Sequence, residues 1–234
     1  AQDAITGYHY YAKVTVIPAT TIYFEDNFKK SDGKTNYVTY STFTYTEGST
    51  EPAKSVDNQW TSVGNAASKT QDEDRPGQVS GTDANNIYGY DGAYNQNYIQ
   101  TYSMGSAMKF TATQNGTTKT FGTATFQFTG TGFDIISLTS RQTGTVMVEV
   151  KKGTAVVKQM VVNTYYGYKY DGTKWVVDNS VKDPLYQIPV IKVCDLDYAT
   201  YTVTLTVTYN GYFDYYRETG DVKSYDFYLD AIRI

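Results

Sequence analysis

The stretch "YTVTLTVTY" places Tyr201, Val203, Leu205, Val207 and Tyr209 at alternate positions, with Thr202, Thr204, Thr206 and Thr208 between them. A period of two puts each set on its own face, as in an antiparallel strand with one face buried. "TVMVEVKK" aligns Val146, Val148 and Val150, and "TATFQFTG" aligns Ala124, Phe126 and Phe128. "YDFYLDAIRI" alternates to Ile234, and further strands are predicted at "YAKVTVIP", "TIYFEDNF", "SAMKFTAT", "GFDIISLT", "TAVVKQMVVNTYY" and "YQIPVIKV". No segment keeps a 3.6-residue apolar period. About ten to twelve short strands separated by Gly, Asn and Asp predict an all-β chain, an antiparallel β-sandwich with long loops. The polar stretch over residues about 46–86 reads as loops inside a single domain spanning 1–234, because the strand pattern resumes directly after it.

Turn chemistry adds detail. In "YYGYKYDGTKWVV" the pair Asp171-Gly172 fits a two-residue hairpin turn, which sets Tyr168 opposite Trp175. The tyrosine-rich "NNIYGYDGAYNQNY" carries Tyr90, Tyr94 and Tyr98 at a spacing of four, but its Gly, Asn and Asp make a poor helix, so a loop or short hairpin is expected.

Composition shifts attention to surfaces. Tyr occurs 25 times against 10 Phe and 2 Trp. Tyr pairs an apolar ring with a polar tip and suits half-exposed positions. The net charge of -4 and the absence of a basic stripe argue against nucleic acid as a partner. No apolar run approaches the roughly 20 residues of a membrane-spanning helix. The opening "AQDAITGYHYY" has neither a basic nor an apolar leader region and reads as a mature or excised piece. The single cysteine, Cys194, precludes an intramolecular disulfide and is expected to be a buried thiol in a strand. The single histidine, His9, disfavours Ser-His and Cys-His catalysis and most zinc sites. A glycosidase needs two carboxylates roughly 5–9.5 Å apart across a cleft. The 24 Asp and Glu show no spacing that singles out such a pair, so no enzyme is expected.

Four motifs follow one another in order: "IYFEDNF", "SMGSAMKFTA", "FQFTGTGFDIISLTSRQTGTVMVEV" and "YDFYLDAIRI". This series resembles the galactose-binding-like jelly-roll modules of carbohydrate-binding proteins. "GTGFDIIS" together with "YQIPVIKVCDLDYATYTVTL" is similar to modules of large surface proteins of gut Firmicutes, and the richness in Tyr, Asn and Gly to ruminococcal cell-surface starch-binding proteins. The resemblance covers roughly residues 20–234; the long polar insertion before Ser80 departs from it. It implies a non-catalytic polysaccharide-binding module for α-glucan (starch), extracellular or at the bacterial cell surface, within a larger multi-domain protein. The alternatives are an adhesin module for protein or host glycan such as mucin, and a structural spacer.

Sugar binding sets the C–H face of a pyranose on a rigid aromatic ring and its hydroxyls on polar groups. The candidate ligand-binding residues are Trp60, Tyr90, Tyr94, Tyr98, Tyr168 and Trp175. Each also has a structural reading. Trp175 could be a core tryptophan, Trp60 a plug over one end of the sandwich, and the tyrosines the small core of their own loop. Arg141, in "LTSRQTG", reads as a solvated turn arginine; in the modules it resembles, that loop can face the ligand, which adds it to the candidates. Many of those modules also hold a structural Ca2+ between the first and last strands. The resemblance therefore implies Glu25, Asp26 and Asp230 as its carboxylates, the alternative being surface carboxylates or hydrogen-bond acceptors.

Overall fold

The computed structural model describes residues 22–30, 32–64, 102–103, 106–180, 184–208 and 224–234. Fifteen strands run through them. The first six are β1 (Tyr23–Glu25), β2 (Thr39–Thr46), β3 (Lys54–Val56), β4 (Thr61–Gly64), β5 (Ser106–Asn115) and β6 (Thr118–Gly130). Next come β7 (Phe133–Thr139), β8 (Thr145–Lys152), β9 (Ala155–Asn163), β10 (Tyr168–Tyr170) and β11 (Trp175–Val177). The last four are β12 (Leu185–Val193), β13 (Ala199–Val207), β14 (Ser224–Leu229) and β15 (Ala231–Arg233). Every pairing between them is antiparallel, and the protein is an antiparallel β-sandwich.

The predicted alternation explains how the layers meet. Strand β13 pairs with β6 on one side and β8 on the other. All three send their apolar residues to one face, including Phe126, Phe128, Val203, Leu205, Val146 and Val148. Strand β5 pairs with β6 only over Thr113–Asn115, then diverges to run beside β14 and β4. That divergence carries Phe110, Phe227 and Leu229 over the same core, where Ile135 of β7, Ile191 of β12 and Ile232 of β15 join them. Strands β1, β15, β7 and β12 form a four-stranded sheet. The outward face of this layer is covered too: Leu138, Ala107 and Tyr228 lie under Tyr102, Tyr186 and Val63. "YDFYLDAIRI" is therefore buried on both faces from Tyr225 to Ile232. It is two strands with a corner at Asp230, β14 pairing with β5 and β15 with β1 and β7.

Four expectations change. The region 46–86 is not loop throughout, since β3 and β4 lie in it, β3 on β2 and β4 on β5. Cys194 is exposed rather than buried, because β12 ends one residue earlier at Val193 and the chain turns outward. The extended segment at "TIYFEDNF" is only three residues long, turning at Asp26–Asn27. Trp60 is a core residue with only 5% of its surface exposed. Its indole packs on Tyr40, Phe110 and Phe227 at centroid distances of 4.9, 5.2 and 6.5 Å, and Nε1–H donates to the Ser41 carbonyl at 3.2 Å. No ring face is left for a sugar. Few apolar residues neighbour Trp60 in sequence; the partners that bury it come from β2, β5 and β14.

Truncating a buried aromatic ring removes its burial and leaves a cavity, so Trp60→Ala is expected to lower unfolding free energy by ~3–5 kcal/mol. Trp175→Ala, at a half-buried hairpin position, is expected to cost about 1 kcal/mol or less. Urea unfolding of the two variants checks this order; an inert Trp60→Ala would contradict the core assignment.

Candidate functional site

The hairpin β10–β11 belongs to neither layer and forms a two-stranded sheet of its own. Its register pairs Tyr170 with Trp175, Lys169 with Val176 and Tyr168 with Val177. The turn is two residues long, as expected, but sits one residue further on, at Gly172-Thr173: the Asp171 amide donates to the Lys174 carbonyl at 3.0 Å. Two local features move it. The Asp171 carboxylate accepts the amides of Thr173 and Lys174 at 2.8 and 2.9 Å, and these bonds hold its pKa below the ordinary carboxylate value. Gly172 takes a φ of +104°, which suits glycine at the first central position of such a turn. Moving the turn by one residue moves the register by two, so the face of each ring is kept while its partner changes. Trp175 meets Tyr170 instead of Tyr168.

Tyr168, Tyr170 and Trp175 consequently share one face of the hairpin. The rings of Tyr170 and Trp175 are 5.9 Å apart and inclined at 58°, and Tyr170 is 56% exposed. Tyr165 meets Tyr168 edge to face at 5.8 Å, extending the aromatic surface toward the base of the hairpin.

Arg141 is the anchor of that base. Its Nε donates to the Gly167 carbonyl at 3.3 Å and its Nη2 to the Asp178 carbonyl at 3.0 Å, while the Asp178 amide closes on the Gly167 carbonyl at 2.9 Å. Gly167 has a φ of +91°, and a Cβ there would lie 3.0 Å from the arginine side chain, so glycine is needed for both backbone and space. Arg141, expected as a ligand contact, uses its guanidinium on backbone carbonyls at the two ends of the hairpin. The arginine itself was visible in sequence, but Gly167 and Asp178, 26 and 37 residues away, were not. Tyr90, Tyr94 and Tyr98 lie outside the described residues.

The three carboxylates come together at the other feature of note. Strand β1 pairs with β15 so that Glu25 faces Ala231, and the Asp26 amide donates to the Asp230 carbonyl at 3.1 Å. This brings the turn after β1 against the corner between β14 and β15. Glu25, Asp26 and Asp230 are 0, 4 and 0% exposed, so they are not surface carboxylates, although Glu25 and Asp26 do serve as hydrogen-bond acceptors, the other half of the alternative reading. Ser103 Oγ donates to Glu25 Oε1 at 3.0 Å and Ser106 Oγ to Asp26 Oδ1 at 3.1 Å. No side chain among the described residues donates to Asp26 Oδ2 or to either carboxylate oxygen of Asp230. Burial, with Ser103 opposing it and Asp26 adding to it, pushes Glu25 up to about 8. Burial, opposed by Ser106, pushes Asp26 up to about 6. Asp230 is raised well above the ordinary value by burial and by Glu25, the Ser103 amide easing it slightly.

Buried anionic oxygens without donors are costly unless a cation or a proton compensates them. The donor set is all oxygen, which suits a hard cation such as Ca2+ rather than zinc or copper. No three His, Cys, Asp or Glu side chains among the described residues are grouped so as to hold a metal ion by themselves. The carboxylates fit such an ion only as part of a shell completed by backbone oxygens or water, as calcium shells commonly are.

No family model matches the chain, and no curated protein is similar to it. Among solved structures, the carbohydrate-binding module TmCBM61, in complex with β-1,4-galactotriose, is 10% identical, with 75% of this chain and 88% of that one covered and a TM-score of 0.31. The Agl-KA catalytic domain is 14% identical, with 55% of this chain and 21% of that one covered and a TM-score of 0.29. Both likenesses are too loose to carry an argument about ligand or activity.

The raised acids give a signed pH dependence. Glu25 moves from 4.5 to about 8 and Asp26 from 3.8 to about 6 on folding, so between these values the folded chain holds more protons than the unfolded one. Stability contributed by these groups is then present below the unfolded values and lost as pH rises. In chelator, the Tm is expected to fall steadily from about pH 4.5 to 8, and Glu25→Gln to flatten the upper part of that fall. Thermal melts across pH check it; a Tm rising through this range would contradict the assignment.

Proposed function

We propose that the protein is a non-catalytic polysaccharide-binding module whose ligand is an α-glucan such as starch. The observation that carries the proposal is the pair Tyr170 and Trp175, two rings presented at 58° on a hairpin outside both layers. A helical α-glucan offers a curved face, which inclined rings follow better than the coplanar row suited to a flat chain. Tyr and Trp lose little entropy on contact because their rings are rigid, and Tyr168 and Tyr165 lengthen the platform. The richness in Tyr, Asn and Gly, which is similar to that of ruminococcal cell-surface starch-binding proteins, supports the same ligand class. The working context is an extracellular or cell-surface bacterial protein of several modules, in which many weak contacts add to firm retention on polysaccharide.

Mechanistically, β10–β11 needs little of its own stability, because Arg141 ties both ends of the hairpin to the loop after β7. Orientation fixed before binding reduces the ordering cost of the complex. We place a structural Ca2+ at Glu25, Asp26 and Asp230, where it would supply the positive charge that the buried carboxylates call for. Its role is to hold the first and last described strands together.

Affinity electrophoresis through gels containing starch, xylan, mucin or no polysaccharide tests the ligand. Starch alone is expected to retard the protein. Tyr170→Ala or Trp175→Ala is expected to remove most of the retardation, at ~1–3 kcal/mol for each large ring lost from a binding centre. Arg141→Ala is expected to weaken it less, by loosening the platform. Retardation by mucin alone would favour the adhesin reading, and none by any gel the spacer. For the metal, chelation is expected to lower the Tm by several degrees at neutral pH and Ca2+ to restore it; an unchanged Tm would remove calcium from the account.

A further inference from the structure

The outward face of β13, β8 and β9 carries an apolar row beside a polar one. Thr206 of β13 pairs with Met147 of β8, and Met147 with Val161 of β9. Two residues along each strand, Thr204 pairs with Glu149 and Glu149 with Gln159. The rows are therefore about 7 Å apart, and neighbours within a row about 5 Å apart. All six residues line one open depression of about 430 Å³. The bulge in β9 lies ahead of this segment, at Val156–Lys158. Gln159 and Val161 keep plain alternation, with Met160 and Val162 packed on the core instead.

The apolar row stands in water, Met147 being 46% and Val161 60% exposed. The polar row is already oriented. Gln159 Nε2 donates to Glu149 Oε2 at 2.8 Å, and Lys151 Nζ lies 2.5 Å from Glu149 Oε1. These bonds, that of Lys151 first, hold the Glu149 carboxyl below its ordinary pKa, so it stays an acceptor. Each carboxylate oxygen keeps a second lone pair, and Gln159 keeps its carbonyl oxygen and one N–H. Lys151 offsets the charge of Glu149, so the row offers directed hydrogen bonds with no net charge. That combination fits a neutral, hydroxylated ligand. A pyranose laid with its C–H face on Met147 and Val161 turns a hydroxyl edge to Glu149 and Gln159, where carboxylate and amide take neighbouring hydroxyls. A wholly apolar partner would strip water from both polar groups and replace none of it. Position favours the same ligand as the aromatic hairpin. Strand β9 leads directly into it, with only residues 164–167 between Asn163 and Tyr168. The hairpin contributes rings, and the depression contributes hydrogen-bonding groups.

We propose that this depression is a second sugar subsite, in which Glu149 and Gln159 take the hydroxyl edge of a glycan chain while Met147 and Val161 support its C–H face. The proposal rests on the reading of the protein as an α-glucan-binding module and supplies the polar contacts of that ligand.

Methyl NMR of the full chain during titration with maltoheptaose tests it. The Met147 methyl, identified by its loss in Met147→Leu, is followed beside the Trp175 indole. The Met147 signal is expected to shift and saturate. Gln159→Ala, at an exposed position, is expected to weaken that response by about two- to tenfold, as the loss of a hydrogen-bonding partner would. A thermal melt establishes that the variant is folded. A Met147 signal that stays still while Trp175 moves would overturn the subsite and leave the hairpin reading standing. Met147 moving while Trp175 stays still would uphold the subsite and remove the hairpin from the site. Neither moving would overturn both, and a response indifferent to Gln159→Ala would overturn the subsite. So would a Met147 signal that follows protein concentration instead of sugar, since a second copy would then be what covers the depression.

Discussion

The long strands of the two layers share one apolar core, and the architecture hangs on that constraint. Strands β6, β13 and β8 meet it by strict alternation, with Thr, Gln and Glu left on the outward side. Strand β7 and the pair β14–β15 meet it twice, burying both faces. Among the described strands only the short hairpin β10–β11 stands apart, without a layer of its own to pack into. Its rings stay partly in water, and a side chain from elsewhere must hold it. Arg141 does so through backbone carbonyls, leaving the aromatic surface uncovered.

The closing of the chain on itself works differently. Where β1 meets β15, the sandwich buries three carboxylates instead of apolar residues. Two serines donate one hydrogen bond each, to Glu25 and Asp26, and no described side chain donates to the Asp230 carboxylate. An apolar trio of the same volume would stabilise this corner without any cofactor. The first and last described strands thus meet over buried acids rather than over apolar side chains. This gives the corner and the hairpin separate tasks, one closing the frame and the other presenting rings.

Much of the frame was legible in sequence, because period-two alternation is a local signal and residues such as Val203, Leu205 and Phe126 obey it. What could not be read depends on contacts between distant segments. Trp60 sits in polar "SVDNQW", yet Tyr40, Phe110 and Phe227 enclose it. The Asp171-Gly172 signal found the right hairpin and the right loop length, but the Asp171 side chain capping two amides moved the turn by one residue. Cys194 looked like strand interior because "IPVIKVC" is apolar to its end, whereas pairing with β7 stops at Val193. Glu25, Asp26 and Asp230 entered through resemblance alone. Their burial follows from the pairing of the chain's first and last described strands, which no local pattern encodes.

The two tryptophans offer the most direct test of the central claim, since one is sealed in the core and the other stands on the proposed platform. Their indole N–H groups give two separate NMR signals that can be followed while maltoheptaose is added. The Trp175 signal is expected to shift and saturate while the Trp60 signal, whose N–H is bonded to the Ser41 carbonyl, stays in place. A Trp175 signal that remains still as the sugar is raised to high concentration would contradict it.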